Sequence, residues 1–346
     1  MCGAGAVGSR AARQLASSAE VSSVVLIDRA TERAEAVARS LGPLAVHAPS
    51  AGWPWPDAVL ADADVLIVAA PIVGGLTSLA PSRVANAVGL DVVRAALTAG
   101  VAVVAVADGI TEVEALLDLD AEARRAGVPI VVGAGMAPGL TDVLALHAAA
   151  AFDEVEEVHV AKAGTGGPAC ASQHHRALGE EAVDWRDGTW IRRPGGSGRE
   201  LCWFPDPVGG RDCYRAGLAD ARLLMPAFPG VRRVTARVAA TRRDRLTAAL
   251  PMLRRPHPEG GVGAVRVEVR GRRGGRSDTA VLGAIDRLGV AAGAVAAVSA
   301  LWAVTGRLGQ PRAAGLASLV DEPGVFLAEL ARRGVKAAAF EGADPG

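Results

Sequence analysis

This chain has almost no lysine and few aromatic residues. Only Lys162 and Lys336 stand among its 37 basic residues, Tyr214 is the single tyrosine, and aromatic side chains make up 3% of the sequence. No basic stripe with interleaved aromatics can be assembled from such a composition, which argues against nucleic-acid binding. Four cysteines (Cys2, Cys170, Cys202 and Cys213) in 346 residues are too few for a disulfide framework, so reduced thiols in a cytoplasmic protein are expected. The longest uncharged run, Leu288 to Thr305, is mostly Ala, Gly and Val. It is too weakly apolar for a membrane span and reads as a buried helix that packs closely through small side chains. No signal peptide is read at the N-terminus. Cys170, His174, His175, Cys202 and Cys213 match no standard zinc spacing, and no metal is expected.

Half of the residues are apolar, and the length allows two domains or one large α/β unit. Net charge is zero overall but uneven: residues 1–150 carry nine basic and fifteen acidic groups, and the remainder carries 28 and 22. A basic second half suits a small anionic substrate, although a mixed solvated surface would give the same count.

The strongest signal is MCGAGAVGS. Gly3, Gly5 and Gly8 form G-x-G-x-x-G, and Asp28 follows twenty residues after Gly8 at the end of the apolar run VSSVVLI. This is the dinucleotide-binding fingerprint. Gly3 allows a tight turn, Gly5 lets backbone amides approach a pyrophosphate, and Gly8 lets the helix pack on the strand. Ala4, Ala6 and Val7 complete the loop, and the helix that follows points its positive end at the phosphates. Asp28 should accept hydrogen bonds from the adenosine ribose, which favours NAD slightly over NADP, while Arg29 leaves room for a 2′-phosphate. Only Met1 and Cys2 precede the motif, so the first strand of the sheet is expected to be incomplete, with unpaired backbone on its neighbours.

The first 135 residues alternate helix-like and strand-like segments, predicting a doubly wound parallel sheet of Rossmann type. Helices are expected at Ser9 to Ser17, Ala30 to Leu41, Ser82 to Thr98 and Glu112 to Ala126. Strands are expected at Val21 to Ile27, Asp64 to Ala70, Val101 to Ala107 and Pro129 to Val132. Ala69, Ala70 and Pro71 end a strand at the carboxyl edge, where ligands bind in open α/β folds. After about residue 150 the pattern turns to strands, at Val155 to Ala161, Val231 to Ala239 and Val262 to Val269. A hairpin turns at Asp187-Gly188. The second unit is therefore read as an α+β substrate and dimerisation domain with one solvated face. From Asp286 a helical tail should pack back on the first unit. The expected division is 1–135, 136–285 and 286–346.

The chain resembles saccharopine dehydrogenase-like NAD(P)-dependent oxidoreductases through GAGAVGS, DVLIVAAP, AGVAVVAVAD and GAGMAPGLTDVLA, in this order, and more loosely through FLAELARRGVK. The resemblance implies a Rossmann domain, a mixed α/β substrate domain, homodimerisation, and hydride transfer between nicotinamide and an imine, secondary amine or carbonyl carbon of a small carboxylate-bearing substrate. It also implies that GAGMAPG lies near the nicotinamide, so that Gly135, Met136 and Pro138 line the site. Asp142 stands where many relatives carry Asn.

The unusual side chains lie in the second half. Gln173, His174, His175 and Arg176 follow a glycine-rich loop. One of the two adjacent histidines is a candidate proton carrier, and Arg176 a candidate partner for a substrate carboxylate. Lys162 and Tyr214 are further general-acid candidates. WFPDPVGGRDCYR reads as an ordered loop that could cover a site. Rival readings are a reductase of a carbonyl or enoyl group, and a dinucleotide-binding sensor or scaffold without turnover.

Overall fold

The computed structural model describes residues 1–48, 57–72, 88–250, 252 and 256–340. The first half alternates as its sequence suggests: α1 (Ala6–Ala16), β1 (Val24–Leu26), α2 (Thr31–Leu41), β2 (Ala45–His47), α3 (Asp57–Ala61), β3 (Val65–Val68), α4 (Leu90–Thr98), β4 (Ala102–Ala105), α5 (Ile110–Leu117), α6 (Asp120–Ala126), β5 (Ile130–Val132) and α7 (Leu140–Ala149). The helix expected over 112–126 is broken in two at Asp118 and Leu119. Of the helix expected from Ser82, residues 82–87 lie outside the described residues.

The short apolar strands pair in parallel, β1 with β2 and β3-β4-β5 in order. β3, β4 and β5 are buried on both faces, as a sheet sandwiched between helices requires, whereas β2 at the edge exposes Val46 and His47. Met1 to Gly3 lie between the two groups. The Ile27 amide donates to the Met1 carbonyl (2.9 Å) and the Gly3 amide to the Ile27 carbonyl (2.8 Å). On the other side, Cys2 N–H donates to Ile67 O (2.8 Å) and Ala69 N–H to Cys2 O (2.7 Å). Three residues thus satisfy the facing backbone groups of both neighbours over this stretch, and the sheet runs continuously from β2 to β5.

The second unit comprises β6 (Glu154–Ala163), α8 (Pro168–Ala177), β7 (Ala182–Arg186), β8 (Thr189–Arg193), β9 (Glu200–Trp203), β10 (Gly210–Tyr214), α9 (Asp220–Leu224), β11 (Arg233–Ala239), α10 (Arg242–Leu246), β12 (Val262–Arg273) and β13 (Arg276–Arg287). The tail adds α11 (Leu288–Val304), β14 (Ala313–Ala314), α12 (Pro323–Arg332) and β15 (Ala337–Phe340). The large mixed sheet runs β15-β13-β12-β6-β11-β10-β9, with the β7–β8 hairpin joined to β11. That hairpin turns at Asp187 and Gly188, both with positive φ (46° and 83°), as a two-residue turn with the strand twist requires.

Alternation along β6 sets its two faces. Val158, Val160 and Lys162 point inward, beside Val265, Val267 and Val269 of β12 and Val234, Ala236 and Val238 of β11. Glu157 and His159 take the other face with Arg266, Glu268 and Arg270. The core therefore lies between the inner face and the helices, and it receives one lysine.

The tail differs from an all-helical reading. α11 does return to the first unit, where Gly293 lies so close to α1 that a Cβ there would sit 2.6 Å from Arg10 Cβ. Trp302 and Phe326 lock α11 to α12 edge-to-face with centroids 4.9 Å apart. But β14 extends the parallel sheet beside β5, and β15 closes the far edge of the mixed sheet beside β13. The segment expected as a covering loop, 203–215, is instead mostly the turn and second strand of the β9–β10 hairpin. Among the described residues no helix is long and apolar enough to cross a membrane.

Candidate functional site

A single cleft of about 1180 Å³ follows the carboxyl edge of the parallel sheet and ends against α8 of the second unit. Its first end is the glycine turn. Gly3 takes φ +93°, and a side chain there would strike the Ala69 carbonyl. A Cβ at Gly8 would drive into the Gly3 carbonyl, whereas one at Gly5 would meet nothing within 4 Å, because it faces the open cleft. Asp28 Oδ2 accepts from the Ala4 amide (2.8 Å) and Oδ1 from the Ala30 amide (2.9 Å), fixing the loop to the end of β1. Arg33 lies 3.5 Å from the same carboxylate. Ala4, Gly5, Ala6 and Val7 line the cleft, together with Arg10, Arg13 and Arg33, which had not been anticipated. Gly3 and Gly8 shape the turn from behind, and Arg29 is exposed outside the lining.

Ala69, Ala70 and Pro71 form one wall at the centre, and Gly135, Met136 and Pro138 form another. The GAGMAPG segment makes a compact loop: the Gly135 amide donates to the Pro138 carbonyl at 3.0 Å, and Gly139 at φ +120° has no room for a side chain against Gly133 and Gly135. The Ala137–Pro138 peptide is cis.

The far end is polar. Asp108 follows β4, where the carboxyl edge of an open sheet gathers ligand-binding groups. α8 contributes Cys170, Gln173, His174 and Arg176 to the lining, and α5 contributes Glu112. Gln173 accepts from Arg176, whose Nε has no partner. Glu112 accepts from the Ile72 amide, yet burial pushes its carboxyl up to about 7. Burial also pushes Asp108 up, opposed by the Lys162 charge. Burial, then the same Lys162 charge, hold the His174 imidazole well below its usual range, so it is neutral at neutral pH.

The four acid–base candidates do not converge. His174 lines the cleft. Lys162 is 1% exposed and lies beneath the lining, donating to the Ala137 carbonyl at 3.0 Å. It arrives there through the inward register of β6. His175, one residue on from His174, turns to the Leu250 carbonyl (3.0 Å) outside the cleft. Tyr214 is buried in a separate apolar cluster under the Arg245 guanidinium, 4.2 Å from its ring centre. Asp142, expected as a substrate contact, is fully buried in the core. Backbone groups of Gly139, Leu316 and Ala317 lie against its carboxyl, and the Thr141 hydroxyl lies against that of Asp220, also fully buried. Burial, and after it the Asp220 charge, push Asp142 well above the usual carboxylate range. Cys202 and Cys213 neighbour each other on β9 and β10, in a buried cluster that contains none of the α8 residues with which they might have formed a zinc set. Asp108 and Glu112 were missed; their signal is the position after a buried strand, available for Asp108 in AVVAVAD.

Residues 1–122 match the TrkA-N domain model. Over its whole length the chain is similar in structure to apo saccharopine dehydrogenase (L-Glu forming) from Saccharomyces cerevisiae, at 15% identity, with 98% of this chain and 99% of that chain covered and a TM-score of 0.64. It also aligns with DAP dehydrogenase of C. glutamicum (16% identity, 96% and 97% covered, TM-score 0.48) and with an amine dehydrogenase from Mycobacterium smegmatis (13%, 91% and 93%, 0.48). No curated protein matches by sequence. The fold is saccharopine dehydrogenase-like: a Rossmann dinucleotide-binding unit joined to a mixed α/β unit.

Proposed function

We propose that this protein is an NAD(P)-dependent oxidoreductase that transfers hydride between nicotinamide and an imine, amine or carbonyl carbon of a small carboxylate-bearing substrate. One observation carries the reading: a single cleft joins the glycine cradle to Asp108, His174 and Arg176.

The cradle fits a dinucleotide. Gly5 leaves open space where a pyrophosphate would lie against the amides that open α1. Asp28, held at the end of β1, would accept ribose hydroxyls and oppose a 2′-phosphate, which favours NAD. Ala69, Pro71, Val106, Met136 and Pro138 offer an apolar slot for the nicotinamide ring. The bound cofactor supplies the hydride chemistry. The protein's own residues orient the substrate and exclude water. Arg176, braced by Gln173, would pair with a substrate carboxylate. His174 is the one sequence candidate on the lining that could exchange a proton with the substrate nitrogen or oxygen. Lys162 acts from beneath, holding the Ala137 carbonyl and setting the field at Asp108 and His174. The domain division at about 135 and 285, a cytoplasmic setting and a homodimer belong to the same proposal. Leu201 and Trp203, exposed on β9, support a second copy at that edge.

The test is direct. Fluorescence titration with NADH and NADPH should show binding, tighter for NADH. A screen of amino acids with keto acids should then find a pair that oxidises the reduced cofactor. Binding without oxidation would favour a dinucleotide sensor, and no binding of either cofactor would remove the reading altogether.

A further inference from the structure

We propose that Asp108, Cys170 and His174 form a site for a divalent transition-metal ion, zinc by the nature of its donors, at the substrate end of the cleft. The expectation of no metal rested on sequence spacing, which could not show Asp108 meeting α8. In the fold, one ligand atom from each residue lies within 4.8 Å of the other two. Cys170 Sγ is 3.8 Å from His174 Nε2, and Asp108 Oδ2 is 3.7 Å from the same nitrogen. Zinc–sulfur bonds of about 2.3 Å and zinc–nitrogen bonds of about 2.0–2.1 Å at tetrahedral angles place such ligand atoms roughly 3.3–3.6 Å apart. Movements of a few tenths of an ångström would bring the Cys170 sulfur and the Asp108 oxygen to these distances from Nε2.

Hydrogen bonding accounts for only part of this convergence. The Cys170 sulfur is hydrogen-bonded to Nε2, and one ring nitrogen serves one partner in its plane, which leaves the approach of the Asp108 carboxylate oxygen without one. The nitrogen–oxygen distance is beyond a hydrogen bond. A cation between the three atoms satisfies all of them at once. The ring is braced through a hydrogen bond with the Gly164 backbone, the outer-shell support that metal-bound histidines use. Cys170 and His174 lie one helical turn apart on α8, so their spacing is rigid. All three residues line the cleft. The protein would supply three ligands and leave the fourth side open, as catalytic rather than structural zinc sites do.

A thiolate and a carboxylate bring two negative charges to the ion, with the thiol proton released on binding. Lys162 and Arg176 oppose the cation, while Glu112 and Asp220 favour it. On the open side the metal would hold a substrate carbonyl oxygen or imine nitrogen. Hydride would leave the nicotinamide for the adjacent carbon, and the metal-held atom would take a proton from water, with His174 serving as ligand instead of proton carrier. That role rests on the proposed oxidoreductase reading; the binding of metal does not.

The experiment is cobalt(II) and zinc titration of the full chain after removal of metal with a chelator, with NADH binding and thermal melting measured on the same samples. One zinc per chain is expected, and cobalt should give a thiolate charge-transfer band with tetrahedral visible bands. Cys170→Ser and His174→Ala should abolish the band and weaken zinc by at least about 10-fold while keeping NADH affinity. Cys213→Ser, away from the cleft, should change neither. Absence of the band in the wild type, or its persistence in Cys170→Ser, would overturn the proposal. So would its loss in Cys213→Ser. Loss of NADH binding with the band intact would count against the oxidoreductase reading alone.

Discussion

Replacing Gly5 and Gly8 by alanine, one at a time, separates cofactor binding from folding. The two positions face opposite ways. Gly5 caps α1 with an ordinary φ of −75°, and a methyl group there enters empty cleft. The folded apo protein should tolerate Gly5→Ala with little change. Lower freedom of the unfolded chain contributes about 0.4–1 kcal/mol in its favour, and a poorer helix cap costs a similar amount. A bound pyrophosphate would be displaced from the amides at the start of α1. Losing one charge-assisted hydrogen bond costs about 1.5–3 kcal/mol, or roughly 10- to 100-fold in affinity. Gly8→Ala is the reverse case. Its methyl group would collide with the Gly3 carbonyl, a backbone atom held between β1 and β3. Relief requires moving α1 off the loop, at about 1–3 kcal/mol of stability. Thermal melting of the apo proteins and fluorescence titration with NADH measure both quantities. A Gly5→Ala variant that binds NADH like the wild type would show that the pyrophosphate does not lie on this turn. A Gly8→Ala variant as stable as the wild type would refute the packing argument.

The remaining predictions concern carboxylates and one arginine. Asp142→Asn should stabilise the protein by about 1–3 kcal/mol near neutral pH, since it removes a charge that burial and the Asp220 charge disfavour while keeping an oxygen to accept from the backbone groups beside it. The sign follows from the raised folded-state value of Asp142: its protonation favours the fold, and that contribution is full in acid and is lost as pH rises through the folded value. Urea melts should therefore show the gain at about pH 8 and its disappearance near pH 4; a gain independent of pH would contradict the assignment. Asp28→Ala removes the acceptor of the Ala4 and Ala30 amides, and NADH affinity should fall about 10-fold or more while the preference over NADPH narrows. Arg176→Gln should raise KM for a carboxylate substrate by about 10-fold or more and leave NADH binding unchanged, as parallel kinetic and fluorescence titrations would show.

The nucleotide half was legible because its signals are local. Gly3, Gly5 and Gly8 state backbone requirements directly, and the runs ending at Ile27, Val68 and Ala105 are continuous because both faces of a parallel sheet are covered. The second half was less so. Pro205, Pro207, Gly209 and Gly210 made the β9–β10 connection look like a free-standing loop, although β10 is held by β11 across the sheet. The strand Ala337–Phe340 carries three alanines, good helix formers, and takes its conformation from the open edge of β13. Such pairing is supplied by distant chain and leaves no periodic trace.

The polar end of the cleft shows the same division at the level of single residues. His174 and His175 are indistinguishable in the sequence, but successive helical residues point about 100° apart. The start of α8 at Pro168 decides which one faces Asp108. That start is set in turn by the glycine-rich link from β6: Gly164 at φ +87° lies against Val262 and Gly263, and Gly167 at φ +127° lies against Ala6 of α1. The link therefore fixes α8 to the mixed sheet and to the dinucleotide turn together. One residue of slip in it would carry His174 and Cys170 away from Asp108 and bring His175 toward the cleft. The chemistry of the far end thus depends on backbone conformations at glycines that carry no chemistry themselves.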